Sequence, residues 1–190
     1  VIGALKIKGV IYILLSFLGY GALETTAGLW ASSYLVEYRN ISTETAALFA
    51  SLFYMGITFG RFLSGFVADK FGDKTMIRLG IVICLFGIIL VAMPINIQAF
   101  ALVGLLIIGF GCAPIYPAII HSTPSNFGEE NSQAIIGIQM ASAYVGTTFI
   151  PPLFGALTNV ISIGFYPVYL FVFAILMLVM SESLNKKLSK

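Results

Sequence analysis

One carboxylate in this chain sits where a carboxylate is costly. Glu24 lies inside GYGALETTAGLWASSYL, a stretch with no other acid or base. If that run crosses a bilayer, a charge at its centre costs about 2.5 to 3.5 kcal/mol. Such a residue is a functional candidate: desolvated it can carry a proton, and beside a cation it stays ionised. A hydrogen bond that merely holds a bundle together is the other use. A second polar cluster, GFVADKFGDK at 65–74, places four charges and two glycines in ten residues of a chain that is only 9% charged. Asp69 would close a helix, where the negative end of the macrodipole disfavours an acid by roughly 0.3 to 1 kcal/mol, so it should seek a cation. Arg61, Arg78 and the N-terminus of a neighbouring helix are the candidates. Gly65 would let backbones approach, and Gly72 would permit a tight turn.

The elements that must position these residues follow from composition. The 190 residues are 59% hydrophobic, and the mean hydropathy is +1.00. A soluble domain would carry charge on about a quarter of its residues. A bilayer-spanning helix needs roughly 20 apolar residues, and six such runs are present: 9–35, 45–68, 76–93, 99–122, 134–157 and 166–180. They are continuous rather than alternating, so an all-α membrane domain over 1–190 is expected, not a β-barrel. Lys6, Lys8, Lys70, Lys74, Arg78, Lys186, Lys187 and Lys190 fall on the side that holds both termini, against Arg39 alone on the other. The positive-inside rule makes that side cytoplasmic in a multi-pass cell-membrane protein. Cys84 and Cys112 lie within spans, where small apolar packing is their expected role. The chain opens VIGALKIKG without Met, which suggests a piece of a longer or processed protein.

Shifting the chain by 90 residues lays YMGITFGRFLSGFVAD (54–69) on YVGTTFIPPLFGALTN (144–159), with six of sixteen positions identical. Gly19 and Gly21 meet Gly109 and Gly111 under the same shift. Three helices per copy put the second copy in the opposite sense, a three-plus-three inverted repeat of the kind transporters use. The third and sixth spans carry no strongly polar mid-membrane group, so they should face lipid or act as supports. The other four carry Glu24, Tyr54, Arg61, Tyr116, His121, Gln139 and Tyr144 and should line a cavity. Gly56, Gly60, Ser64 and Ala68 form a strip suited to close helix packing. Pro114, Pro117 and Pro124 should bend the fourth span, placing Tyr116 and His121 on the cavity or near its cytoplasmic exit.

The pattern Gly65, Asp69, Lys70, Gly72, Lys74 resembles the GxxxD(R/K)xG(R/K)(R/K) signature of the major facilitator superfamily, with Asp73 standing where a second basic residue is usual. Together with GYGALETTAGLWASSYL, GFGCAPIYPAIIHSTPSNFG and IIGIQMASAYVGTTFIPPLFG, it is similar to the carboxy-terminal six-helix half of a sugar-porter member of the fucose permease type. The resemblance implies proton-coupled alternating access for a small polar solute, with Arg61, Gly65, Asp69, Lys70, Gly72, Lys74 and Arg78 as the conformational switch. Tyr20, Glu24, Trp30, Tyr54, Tyr116, His121, Gln139 and Tyr144 would be its solute-facing residues, with Tyr20, Trp30, Tyr54 and Tyr144 as stacking walls. The implied partners are the solute, protons, the bilayer, and either an amino-terminal half or a second copy. Gly137, Gly146, Pro151 and Gly155 only partly resemble an antiporter motif, since Ile150 and Phe154 replace two of its glycines. An efflux antiporter half, or a non-transporting receptor or assembly subunit, is the alternative. Enzyme, metal, cofactor and nucleic-acid signatures are missing from the sequence.

Overall fold

The computed structural model describes residues 2–94 and 97–189; Lys190, counted above with the basic side, lies outside them. Every regular element among the described residues is helical. After a short α1 (Ile2–Leu5) come α2 (Val10–Glu37), α3 (Thr43–Phe71), α4 (Asp73–Ala92), α5 (Gln98–Cys112), α6 (Ile115–Phe127), α7 (Glu129–Thr158) and α8 (Tyr166–Leu188), the last preceded by a 3-10 turn at Ile163–Phe165. Six spans result, with α5 and α6 forming one span from Gln98 to Phe127. The break between them has a local cause. Pro114 and Pro117 have no N–H to offer the carbonyls of Phe110 and Ala113, so the ladder stops and restarts. The α3–α4 turn is as tight as a turn can be: Gly72, at φ 74°, closes one helix and starts the next, with its N–H on the Ala68 carbonyl at 2.8 Å. That left-handed conformation suits glycine. At its other end α3 begins on Ser42, whose hydroxyl accepts from the Thr45 N–H.

Glycines set how the helices meet. A Cβ on Gly21 would sit 2.6 Å from the Ala143 carbonyl oxygen, and one on Gly146 would strike that of Leu18, so α2 and α7 touch backbone to backbone. The α3–α5 contact repeats this. A Cβ on Gly109 would strike the Phe53 oxygen, and one on Gly56 would lie 3.1 Å from that of Leu106. The two contacts are copies related by the inverted repeat. Phe53 and Gly56 precede Ala143 and Gly146 by 90 residues, but Leu18 and Gly21 precede Leu106 and Gly109 by 88. The expected pairing of Gly19 with Gly109, and of Gly21 with Gly111, is therefore corrected by two residues. Gly19 instead faces Met177 and Phe173 of α8, while Gly111 packs on Cys84 of α4. Cys84 and Cys112 are buried free thiols 3.7 Å apart in that α4–α5 seam.

One end of the bundle collects Gly9 against Phe127, Leu184 and Leu188, together with Lys74, Asn126 and Asn185 around a cavity of about 20 Å³. Both chain ends and the α3–α4 turn therefore share it. At the opposite end Arg39 donates to the Met93 carbonyl at 2.8 Å and Tyr34 to that of Val91 at 3.0 Å. Tyr166 donates to the Ala27 carbonyl at 2.8 Å, tying α8 to α2. Exposure is uneven: over an 18-residue stretch of each span, 67% of α2 is buried, against 22% of α3 and 28% of α7. The third and sixth spans, expected to face lipid or act as supports, are covered to an intermediate degree, α4 at 44% and α8 at 33%. The barest helices are the second and fifth spans; α7 packs chiefly on α2, and α3 chiefly on α5.

Candidate functional site

The half-buried Glu24 sits on the face of α2 that α3 covers. Its Oε2 lies 3.8 Å from Arg61 Nη2 and has no hydrogen-bond partner among the described residues. Arg61 reaches back across the same seam, donating to the Tyr20 hydroxyl at 3.2 Å. Its guanidinium lies 5.7 Å from the centre of the Tyr116 ring, near enough for a cation–π attraction. Tyr116 is itself wedged against Phe17 and Tyr20, with ring centres 5.2 and 6.0 Å away, and its hydroxyl rests 3.2 Å from the Met140 sulfur. Four candidates drawn from three helices thus meet at one point: Tyr20, Glu24, Arg61 and Tyr116. A desolvated carboxylate beside a guanidinium that is 47% exposed can neutralise the cation when no other anion is near, and can release it on protonation.

Below this cluster, toward the end with both termini, opens a cavity of about 590 Å³. Arg61, Ser64, Asp69 and Asp73 line one side, and Pro114, Tyr116, Pro117 and His121 the other. The bend at Pro114 carries α6 away from α3 and leaves this space. At the cavity mouth His121 Nδ1 lies 2.9 Å from Asp73 Oδ2. Asp73 also occupies the first turn of α4, where a helix favours negative charge.

Several expected placements change. Asp69 takes neither arginine: Arg78 makes a two-pronged pair with Glu182 of α8, and Arg61 turns to Glu24. Gly65 brings no backbones together, since a Cβ there would meet nothing within 4 Å; the close contacts belong to Gly60 and Gly56, earlier in the same helix. Gln139 is wholly buried and exchanges hydrogen bonds with Thr123 across α6 and α7. Trp30 is a packing residue, its indole N–H on the Pro151 carbonyl at 3.1 Å and its ring edge-on to Phe154. Tyr54 and Tyr144, equivalent in the repeat, both stand exposed on the bare faces of α3 and α7. Lys70 and Lys74 remain exposed at the turn. Two contributors were not anticipated, Asp73 as the partner of His121 and Glu182 as the partner of Arg78. Asp73 was visible only as a departure from a motif, and Glu182 only as an acid at the basic end.

Comparison with known proteins places these features in a family. The chain is 27% identical over 176 residues to "Probable nitrate transporter NarT" of Staphylococcus epidermidis, covering 90% of this chain and 44% of that protein. It is 29% identical over 124 residues to "Putative glucose/galactose transporter" of Helicobacter pylori, covering 65% of this chain and 29% of that one. The chain therefore spans less than half the length of these relatives. A solved structure of the peptide transporter POT in complex with sulfate superposes with a TM-score of 0.76 at 16% identity, over 95% of this chain and 38% of that one, a likeness of fold. The profile of the Major Facilitator Superfamily matches residues 12–182, and the chain belongs to that superfamily.

Proposed function

We propose that this chain is one six-helix half of a secondary active transporter that moves a small polar solute, a sugar being the first candidate, by proton-coupled alternating access in the cell membrane. The observation that carries this reading is the Glu24–Arg61–Tyr20 cluster. Three polar side chains converge within the bilayer, and one of them, Arg61, lines a cavity that leads to one end of the bundle, an expensive arrangement unless a polar solute or proton uses it. The bare faces of α3 and α7 support a partner half, either an amino-terminal six-helix bundle of the same chain or a second copy. The basic end, with both termini of this segment, faces the cytoplasm on this reading. Because Arg61 is 47% exposed and donates one hydrogen bond, to Tyr20, among the described residues, an anionic solute is the second reading, and the nitrate transporter among the relatives supports it.

The test is uptake by the full-length protein in sealed vesicles under an inward proton gradient, with labelled monosaccharides and labelled nitrate as separate arms. Gradient-dependent accumulation of a sugar supports the first reading, and accumulation of nitrate the second. No gradient-dependent uptake of any polar solute would turn the assignment toward a receptor or assembly subunit on the same fold, and solute-driven proton release in the outward direction toward an efflux antiporter.

A further inference from the structure

The lower arm of the broken span is tied to its neighbour at one titratable point. α6 restarts after Pro114 and runs down the cavity wall, and near its end His121 meets Asp73, the first residue of α4. The pair crosses the cavity mouth and joins two elements that share no other side-chain ion pair or hydrogen bond among the described residues. The charged groups facing His121 are Asp73 of α4 and, across the cavity, Asp69 and Arg61 of α3. Asp69 makes no side-chain hydrogen bond or ion pair among the described residues, so both acids near the mouth look to the same imidazole.

We propose that the Asp73–His121 bridge is a pH-dependent strap that holds α6 against the start of α4 and so sets how widely the 590 Å³ cavity opens at this end. With the imidazole protonated the strap is a charge-assisted hydrogen bond, the stronger kind. When the imidazole loses its proton, the Asp73 carboxylate keeps only a hydrogen bond from a neutral ring N–H, weaker than the ion pair, and the lower arm of α6 is held less firmly against the start of α4. The side chain of His121 is 79% exposed, so the effect is small and salt-sensitive.

The test needs no solute, so its result is separable from that of the uptake assay. A cysteine introduced as Ala118→Cys on the cavity wall of the full-length protein in membranes is modified by a charged thiol reagent between about pH 5.5 and 8.5, which brackets ordinary imidazole titration. Its rate is divided by that of a surface reference, Lys186→Cys, to remove the pH dependence of thiol reactivity. The ratio should rise roughly two- to fivefold toward alkaline pH, the range an exposed ion pair supports, and less so at high salt. With Asp73→Asn it should be high and flat; with His121→Lys, whose cation does not titrate in this range, low and flat. A flat ratio in the parent, or an unchanged rise in either variant, overturns the proposal. Should one variant fail to fold, the other still decides, and His121→Gln supplies a third that must be flat.

Discussion

Glu24 and Arg61 are 37 residues apart in sequence and meet only because α3 folds back along α2. Neither is fully satisfied by the other at 3.8 Å, so the pair is poised rather than locked. Replacing Glu24 with Gln keeps the shape and removes the charge. If Glu24 carries the coupling proton, gradient-driven uptake by the full-length protein should collapse and the residual rate lose its pH dependence, at normal membrane abundance. Unchanged uptake and pH profile would remove Glu24 from the mechanism. A double-mutant cycle with Glu24→Gln and Arg61→Gln, read by thermal unfolding in detergent, should give a coupling of about 0.5 to 1 kcal/mol, the low end because Arg61 is nearly half exposed. A coupling indistinguishable from zero would mean that the two groups do not sense each other.

At the scale of elements, helix contact depends on which glycines meet backbone. Gly21→Val or Gly146→Val pushes a side chain into an opposing carbonyl, and overpacking of this kind costs about 1 to 3 kcal/mol. The melting temperature of either variant should fall. Gly137 lies in the same helix as Gly146 with open space where a Cβ would stand. Gly137→Ala should therefore stabilise α7, by about 0.5 to 1 kcal/mol, through the backbone entropy that glycine wastes. If the three substitutions shift the melting temperature alike, the glycines are not sorted by contact. Sequence identity marked Gly56 and Gly146 as equivalent, and their contacts agree. It mispaired Gly19 and Gly21 by two residues because an offset chosen on the second and fifth spans was applied to the first and fourth, and only the contacts reveal that those differ.

For the whole molecule, the bundle has a basic end and an almost neutral one. Lys6, Lys8, Lys70, Lys74, Lys186 and Lys187 gather with the termini, and Arg39 stands at the other end, held on the Met93 carbonyl. Positive residues resist translocation, so Val160→Cys, 84% exposed at the less basic end, should react with a membrane-impermeant thiol reagent applied outside intact cells. Lys74→Cys should react only after permeabilisation. The reverse pattern would invert the topology. The repeat also explains the exposed faces. Tyr54, Phe59 and Leu63 of α3 and Tyr144, Phe149 and Leu153 of α7 are equivalent positions, and all six are exposed. A row this large and apolar is a docking face or a lipid face.

The sequence by itself determined the number of spans, their helical nature, the inverted repeat and the end where charge collects, because each rests on local hydropathy, backbone hydrogen bonding in lipid, or spacing along one chain. It also picked out Glu24, Arg61, Tyr20 and Tyr116, since a polar group within an apolar run is conspicuous without a fold. Which of them touch was decided by the tertiary structure. Gln139 and Trp30 look like their neighbours in sequence, yet one is sealed against Thr123 and the other bound to a proline carbonyl. A helix shows its polar residues in order but not which way it is rotated, and rotation is fixed by the glycines and carbonyls of the helices beside it. For the same reason Asp73, legible only as a departure from a motif, became the partner of His121 once the bend at Pro114 brought α6 down beside it.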